Sequence, residues 1–342
     1  MTNVLVELVE KDGLSHIIHI EDTFNAEDLQ NYLNLIKNSN EFYTFYIENE
    51  VFKTSIKNII EKYSYSYETK IIIEVEPDKN KFDVEIDFDE SISFIKYCEK
   101  QNCIIVGLYL TDMKIFDNGL IQNFSNEIGR YVDVRNFASD RNLQVAYSAE
   151  KGIFNITEGK IYPTENISAL QAINGKIFYG QTDGKCYELN DCATCIADTN
   201  GYKIVKILHL YDKILFIASN GSIIYYNNNC NSVKKNYFIT AADSFNNILY
   251  LGTSTNMFYI VKDDTETGYQ VDIRYIDFIK VLNENLLIIS GQYLVQIIQL
   301  DPYKVLNEFK FEVEISGIAV SKGKLFISSG TKLFGTKTKF SQ

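Results

Sequence analysis

The chain has no Trp, 3 Pro and 3 His in 342 residues, and only Arg130, Arg135, Arg141 and Arg274 among its 33 basic residues are Arg. So little proline excludes rigid Pro-rich spacers and mucin-like stalks. Scarce arginine beside abundant Asn, Ile, Lys and Tyr marks an AT-rich coding sequence, so Lys and Asn runs carry no functional signal. No stretch approaches the about 18 consecutive apolar residues of a membrane span. The start, MTNVLVELVEKDG, has neither a basic nor an apolar signal-peptide region. The 6 Cys (98, 103, 186, 192, 195, 230) are therefore expected to be reduced, in cytosol or nucleus. Cys192-Ala-Thr-Cys195 with Cys186 falls short of a four-ligand zinc site, because His16, His19 and His209 lie far away in the sequence. These thiols read as structural.

Hydrophobic residues make up 46% of the chain, with 24 Tyr and 22 Phe, which is ample material for a packed core and excludes disorder over most of the length. The length suggests two domains, or one domain and a repeat array. A net charge of -12 argues against nucleic acid as a ligand of the whole chain. Residues 1–76 hold 14 acidic and 6 basic side chains, so most of the excess sits there and calls for a basic or cationic partner.

Val4–Glu10 and His16–Glu21 alternate around Lys11-Asp12-Gly13 and predict a hairpin. Asn25 caps a helix whose first turn holds Glu27 and Asp28, with Leu29, Tyr32, Leu33 and Ile36 on one face. A strand at Tyr43–Ile47, a short helix at Ser55–Tyr63 through Ile56, Ile59 and Ile60, and a strand at Lys70–Glu76 follow. The apolar start of that last strand suggests a central position. This order predicts an α+β, ubiquitin-like β-grasp domain over residues 1–76.

Residues 77–87 (Pro77-Asp78-Lys79-Asn80-Lys81 and FDVEIDF) read as a linker whose alternating end closes a later sheet. Over residues 88–342 the helical signal disappears. Seven similar phrases recur instead: Ile104–Asp117, Leu143–Ile156, Lys176–Leu189, Ile214–Tyr226, Ile248–Val261, Leu286–Ile298 and Lys324–Thr336. Each is an apolar strand closed by a small or turn residue, then a second β-rich strand. Turns are signalled at Asp112, Lys151-Gly152, Asp183-Gly184 and Asn220-Gly221. Seven such units predict an all-β, seven-bladed WD40-type propeller, although no Trp-Asp or Gly-His dipeptide is present. The small residue is expected where neighbouring blades approach closely.

Tyr43, Phe45, Ile47, Glu50, Lys53, Thr54, Ser55 and Ile56 align without a gap to the pattern F-x-F-x-I-x-G-E-L-L-R-T-S-L. Ser66, Glu68, Ile71 and Glu74 continue it through S-x-E-x-x-L-x-x-E. Asp89-Glu90-Ser91-Ile92-Ser93 and Val106-Gly107-Leu108-Tyr109 are similar to D-D-W-V-S and T-G-S-Y-D-G. In these segments the chain resembles the Ytm family, the WD-repeat subunit of the PeBoW ribosome-assembly complex. The sibling Notchless family shares the architecture but lacks the continuous Glu50…Thr54-Ser55 pattern. Asn49 and Ser64 stand where the family has Gly.

The resemblance implies a non-enzymatic factor for large-subunit ribosome assembly, in the nucleolus and nucleoplasm. Its propeller would dock on the scaffold subunit (Bop or Erb type) beside a pescadillo-type subunit, on the large-subunit precursor particle. Its acidic domain would bind the MIDAS domain of the AAA ATPase midasin, with Glu68 completing the coordination of a Mg²⁺ shared with that partner. Tyr67 and Thr69 would flank the contact. No cofactor of the chain's own, no membrane and at most minor RNA contact are implied. The plain alternative is that Glu68 is one exposed acid among fourteen.

Other residues are weighed similarly. Glu48 and Glu50 lie together as an acid–base pair could, or as solvated turn acids. His16 and His19 fall on opposite faces of a strand. Tyr63, Tyr65, Tyr67, Tyr225 and Tyr226 read as partner contacts or as half-buried β surface, and Lys332, Lys337 and Lys339 as a contact for ribosomal RNA or, more simply, a solvated terminal strand. A generic ubiquitin-like–propeller adaptor stays open, favoured by an apolar patch on the first sheet or a buried Glu68. A channel enzyme needs convergent charged groups on inner strands, which read as Ile, Leu, Tyr and Phe almost throughout.

Overall fold

Along β1 (Asn3–Glu10) burial alternates strictly, with Val4, Val6 and Leu8 inside and Leu5, Glu7 and Val9 on the opposite face. The computed structural model describes residues 2–10, 13–37, 43–48, 50–77, 82–109, 113–117, 119–124, 133–227, 229–263 and 265–337. The turn at Lys11-Asp12, Asn49, the linker residues 78–81, the turn at Asp112 and Lys339 lie outside them. Met1–Lys81 and Phe82–Gln342 are two compact units.

In the first unit β1 is followed by β2 (Ser15–Glu21), α1 (Ala26–Lys37), β3 (Tyr43–Ile47), β4 (Glu50–Val51), α2 (Ile56–Tyr63) and β5 (Ile71–Pro77). The sheet order is β2-β1-β5-β3-β4, with β5 parallel to β1 and antiparallel to β3. β5 is thus central, as its apolar start predicts. Val6, Leu8, Ile18, Phe45, Ile71 and Ile73 pack against Leu29 and Leu33 of α1 and Ile56, Ile59 and Ile60 of α2. Asn25 Oδ1 accepts the N–H groups of Glu27 (2.8 Å) and Asp28 (3.2 Å), and the Asp28 carboxylate accepts the Asn25 N–H at 3.0 Å. Two orphan donors of the first turn are thereby satisfied, and the Asn25 N–H as well. Ile36 does not join the buried face. It is 43% exposed and its neighbour Leu35 81%, so the last turn of α1 runs beyond the core.

α2 is capped at both ends. Ser55 Oγ accepts the Asn58 N–H at 3.4 Å, and Ser64 takes φ 55° while donating its N–H to Ile60 C=O. That left-handed position suits glycine, and a residue with a Cβ holds it at a cost of about 1 kcal/mol. Ser64→Gly is therefore expected to stabilise the first unit by roughly 0.5–1 kcal/mol in denaturant unfolding. A loss of stability would show that the Ser64 side chain does more than tolerate its turn.

Among its described residues the second unit contains seven four-stranded antiparallel sheets. Their first strands are Ile92–Cys98, Val134–Ser139, Ile167–Ile173, Ile204–Leu210, Ile239–Phe245, Phe278–Asn283 and Ile315–Ser321. Each first strand packs against that of the next sheet, and the seventh packs against the first. The seven apolar phrases of the sequence fall on the second and third strands of the seven sheets, for example Lys176–Gln181 with Lys185–Leu189. The hairpin turns at Gly184 and Gly221 have φ 92° and 88°.

The seventh sheet takes its fourth strand, Val84–Asp87, from the other end of this unit, with Ile86 opposite Leu333. Phe88 N–H donates to Thr331 C=O at 2.9 Å, and Lys332 Nζ lies 2.7 Å from Glu85. A Cβ added to Gly180 would stand 2.4 Å from Ile204 of the next sheet, so a small residue there does admit a neighbour. At Gly107 the obstruction is Phe94 of the same sheet, at 2.1 Å, so in that case the small residue serves packing within one sheet.

Candidate functional site

Between α2 and β5 the chain makes a tight turn. Thr69 N–H donates to Ser66 C=O at 2.9 Å and Glu68 N–H to Ser66 Oγ at 3.2 Å. Glu68 occupies the third position of this turn, exposed, and its carboxylate has no hydrogen bond or ion pair among the described residues. Tyr67 is 40% exposed and Thr69 is exposed, so the three residues singled out share one turn tip. The turn is anchored from behind. Tyr65 stacks on Tyr63 with ring centroids 5.8 Å apart, and its hydroxyl donates to Glu48 Oε1 at 2.6 Å. That bond, with some burial, pushes the Tyr65 hydroxyl up to about 12. Glu50 pairs with Lys62, which holds its carboxyl below the usual range. Glu48 and Glu50 are thus tied to separate structural partners and do not form an acid–base pair.

The histidines are separated too. His16 Nε2 lies 3.2 Å from Glu10, which also binds Lys37 Nζ at 2.6 Å, and His19 points to solvent. Among the described residues no group of three or more His, Cys, Asp or Glu side chains could hold a metal. Cys98, Cys103 and Cys186 are buried, whereas Cys192, Cys195 and Cys230 are exposed. Tyr225 and Tyr226 are half-buried, and Tyr226 donates to Glu188 at 2.9 Å.

The first strands depart in places from the reading of Ile, Leu, Tyr and Phe almost throughout. The first strands carry Lys96, Lys206, Asp243 and Lys280. A cavity of about 150 Å³ lies between first strands, with Lys96, Asn136, Lys206, Ala241 and Ile279 among its walls. It shares Ser168, Val205, Thr240, Asp277 and Phe278 with a larger cavity of about 530 Å³. One lysine or aspartate in each otherwise apolar strand, as in IVKILHL and FIKVLN, is the signal that could have revealed it.

No protein-family model and no curated protein matches the sequence. Among solved structures, the chain is similar to the computationally designed Ika8 protein, with 14% identity and a TM-score of 0.55, over 71% of this chain and 82% of that one. An overlap of that length exceeds the first unit and falls mainly on the seven sheets.

Proposed function

We propose that the chain is a non-enzymatic assembly factor of the large ribosomal subunit precursor, built from a ubiquitin-like β-grasp domain and a seven-bladed propeller. The cyclic succession of first strands and the late closure by Val84–Asp87 support the propeller reading. The order of strands and helices, with β5 central and parallel to β1, supports the β-grasp reading. The observation that carries the function is Glu68, an unpartnered carboxylate at the tip of an anchored turn. A divalent ion held by a partner and lacking one oxygen ligand is the chemistry such a group completes. With no cluster of its own among the described residues, the chain supplies one ligand to a Mg²⁺ site in the MIDAS domain of a midasin-type ATPase. The seven sheets dock on the scaffold subunit of the Bop or Erb type, beside a pescadillo-type subunit, in the nucleolus and nucleoplasm. ATP-driven force on this tether then withdraws the factor from the particle.

Recovery of the tagged full-length chain from its own cells tests the role. Large-subunit precursor RNA, the scaffold and pescadillo-type subunits and the ATPase are expected with it. Their absence, with only ubiquitin-pathway proteins recovered, would sink the proposal.

A generic ubiquitin-like–propeller adaptor is favoured by one observation. Ile17 and Ile72 are 62% and 53% exposed on the open face of the first sheet, on either side of Glu7 in the register. Ile17→Ser/Ile72→Ser would then abolish partner binding while Glu68→Gln leaves it unchanged.

A further inference from the structure

Lys96, Lys206 and Lys280 come from the first strands of the first, fourth and sixth sheets. Lys280 is answered by Asp243, whose Oδ2 lies 3.1 Å from its Nζ and also accepts the Val281 N–H at 2.9 Å. Lys96 and Lys206 have neither an ion pair nor a hydrogen bond among the described residues, although both line the 150 Å³ cavity. The Asp243 carboxylate acts favourably on both but is itself bonded to Lys280, so two half-buried ammonium groups lack a contact partner of their own, an arrangement that costs stability. The charge on Lys206, then burial, then Lys280 push the Lys96 ammonium down to about 7, and burial lowers Lys206 as well.

We propose that this cavity is a binding site for a phosphate group, held jointly by the Lys96 and Lys206 ammonium groups. A dianion neutralises both charges, whereas a single carboxylate would leave one unanswered. The space is several times the roughly 30 Å³ share of one water molecule, so an oxyanion with some water fits. Asn136 Oδ1 accepts the Phe137 N–H at 2.9 Å, which leaves its amide N–H groups free to donate toward the cavity. The adjoining 530 Å³ space, walled in part by Phe238 and Tyr275, accommodates the organic part of a phosphate ester. Apolar walls around like charges also focus the field on an entering anion.

Other charged groups nearby set the pH dependence. Asp243 is taken by Lys280, and Asp277 lines the cavity just before the sixth first strand, with Glu314 beside it. The first strands of the third and seventh sheets carry no titratable side chain. Arg135 of the second is exposed and paired with Asp133 at 2.5 Å, and Tyr97 and His209 are exposed. Raising the pH from 6 to 8 deprotonates Lys96 and ionises Asp277, so both changes weaken anion binding.

The test measures thermal unfolding and calorimetric binding of the full-length protein at pH 7. Inorganic phosphate reads the free ion and glycerol 3-phosphate reads an ester, with chloride at matched ionic strength as control. Sulfate, a dianion throughout, is titrated from pH 6 to 8. The comparison is Lys96→Met/Lys206→Met, which removes repulsion and so unfolds in chloride at the same or a higher temperature than the native chain. Phosphate is expected to bind and stabilise the native chain, to bind the variant at least tenfold more weakly, and sulfate affinity is expected to fall as pH rises. Stronger binding of the ester assigns an ester as the occupant, and preference for inorganic phosphate assigns the free ion. Absence of binding, equal stabilisation by chloride, or undiminished binding by the folded variant would overturn the proposal.

Discussion

Phe82→Ala/Phe88→Ala in the full chain is expected to lower the unfolding temperature of the seven-sheet unit by more than about 10 °C. Phe82 packs among Phe309, Phe311 and Phe334, at ring-centroid distances of 5.2, 5.8 and 4.8 Å. Phe88 is 9% exposed in the cluster that joins the first and seventh sheets. Truncating a buried Phe costs about 3–5 kcal/mol. Phe82 is only half-buried, so the pair together costs on the order of 6 kcal/mol, comparable with the net stability of many domains. Physically, the substitutions loosen Val84–Asp87, the strand that completes the seventh sheet from the other end of the unit. Leu120→Ala, at a residue 64% exposed, is the control and should shift the transition by no more than a degree or two. Similar melting of the double variant and the control would mean that this strand does not close the unit.

The second large effect concerns Asp277. Burial, with a smaller contribution from Glu314, pushes its carboxyl up to about 6. A raised carboxyl is one that folding prefers protonated. Between its unfolded value and about 6 the folded chain binds the extra proton, so stability rises as pH falls through that window. Above it the folded chain carries the full cost of the charge, about 2 kcal/mol after allowance for partial solvent access. Asp277→Asn is therefore expected to stabilise the second unit at pH 7.5 and to be nearly neutral at pH 4. The backbone bond from Asp277 N–H to Ser290 C=O, at 2.8 Å, is available to Asn as well. Urea unfolding at the two pH values checks this, and a variant that is destabilised at pH 7.5 would show that the carboxylate has a favourable partner.

Much of this architecture was legible because apolar alternation is a local signal. The seven phrases each contain a strand buried on both faces, such as Ile214–Tyr226, and these became the second and third strands of the sheets. The first strands were harder to read, since a single lysine in IVKILHL or FIKVLN resembles a surface position when the neighbouring strand is unknown. Only the packing of one first strand on the next brings Lys96 and Lys206 to the same cavity. β4 spans two residues and carries no periodicity at all. Ile36 continues the helical stripe, but whether a stripe is covered depends on where the sheet ends. Glu68 could be singled out by its register, whereas its exposure and its anchored turn follow from contacts with Ser66 and, through Tyr65, Glu48.

The most direct test of the tether is the affinity of the full-length chain for a purified MIDAS domain of a midasin-type ATPase, measured with Mg²⁺ and with chelator. Glu68→Gln keeps the size and the turn but removes the charge that a metal requires. Binding is predicted to need Mg²⁺ and to weaken on the order of 100-fold on removal of either the metal or the carboxylate. Binding of equal strength with chelator, or with Glu68→Gln, would contradict the metal-bridged tether.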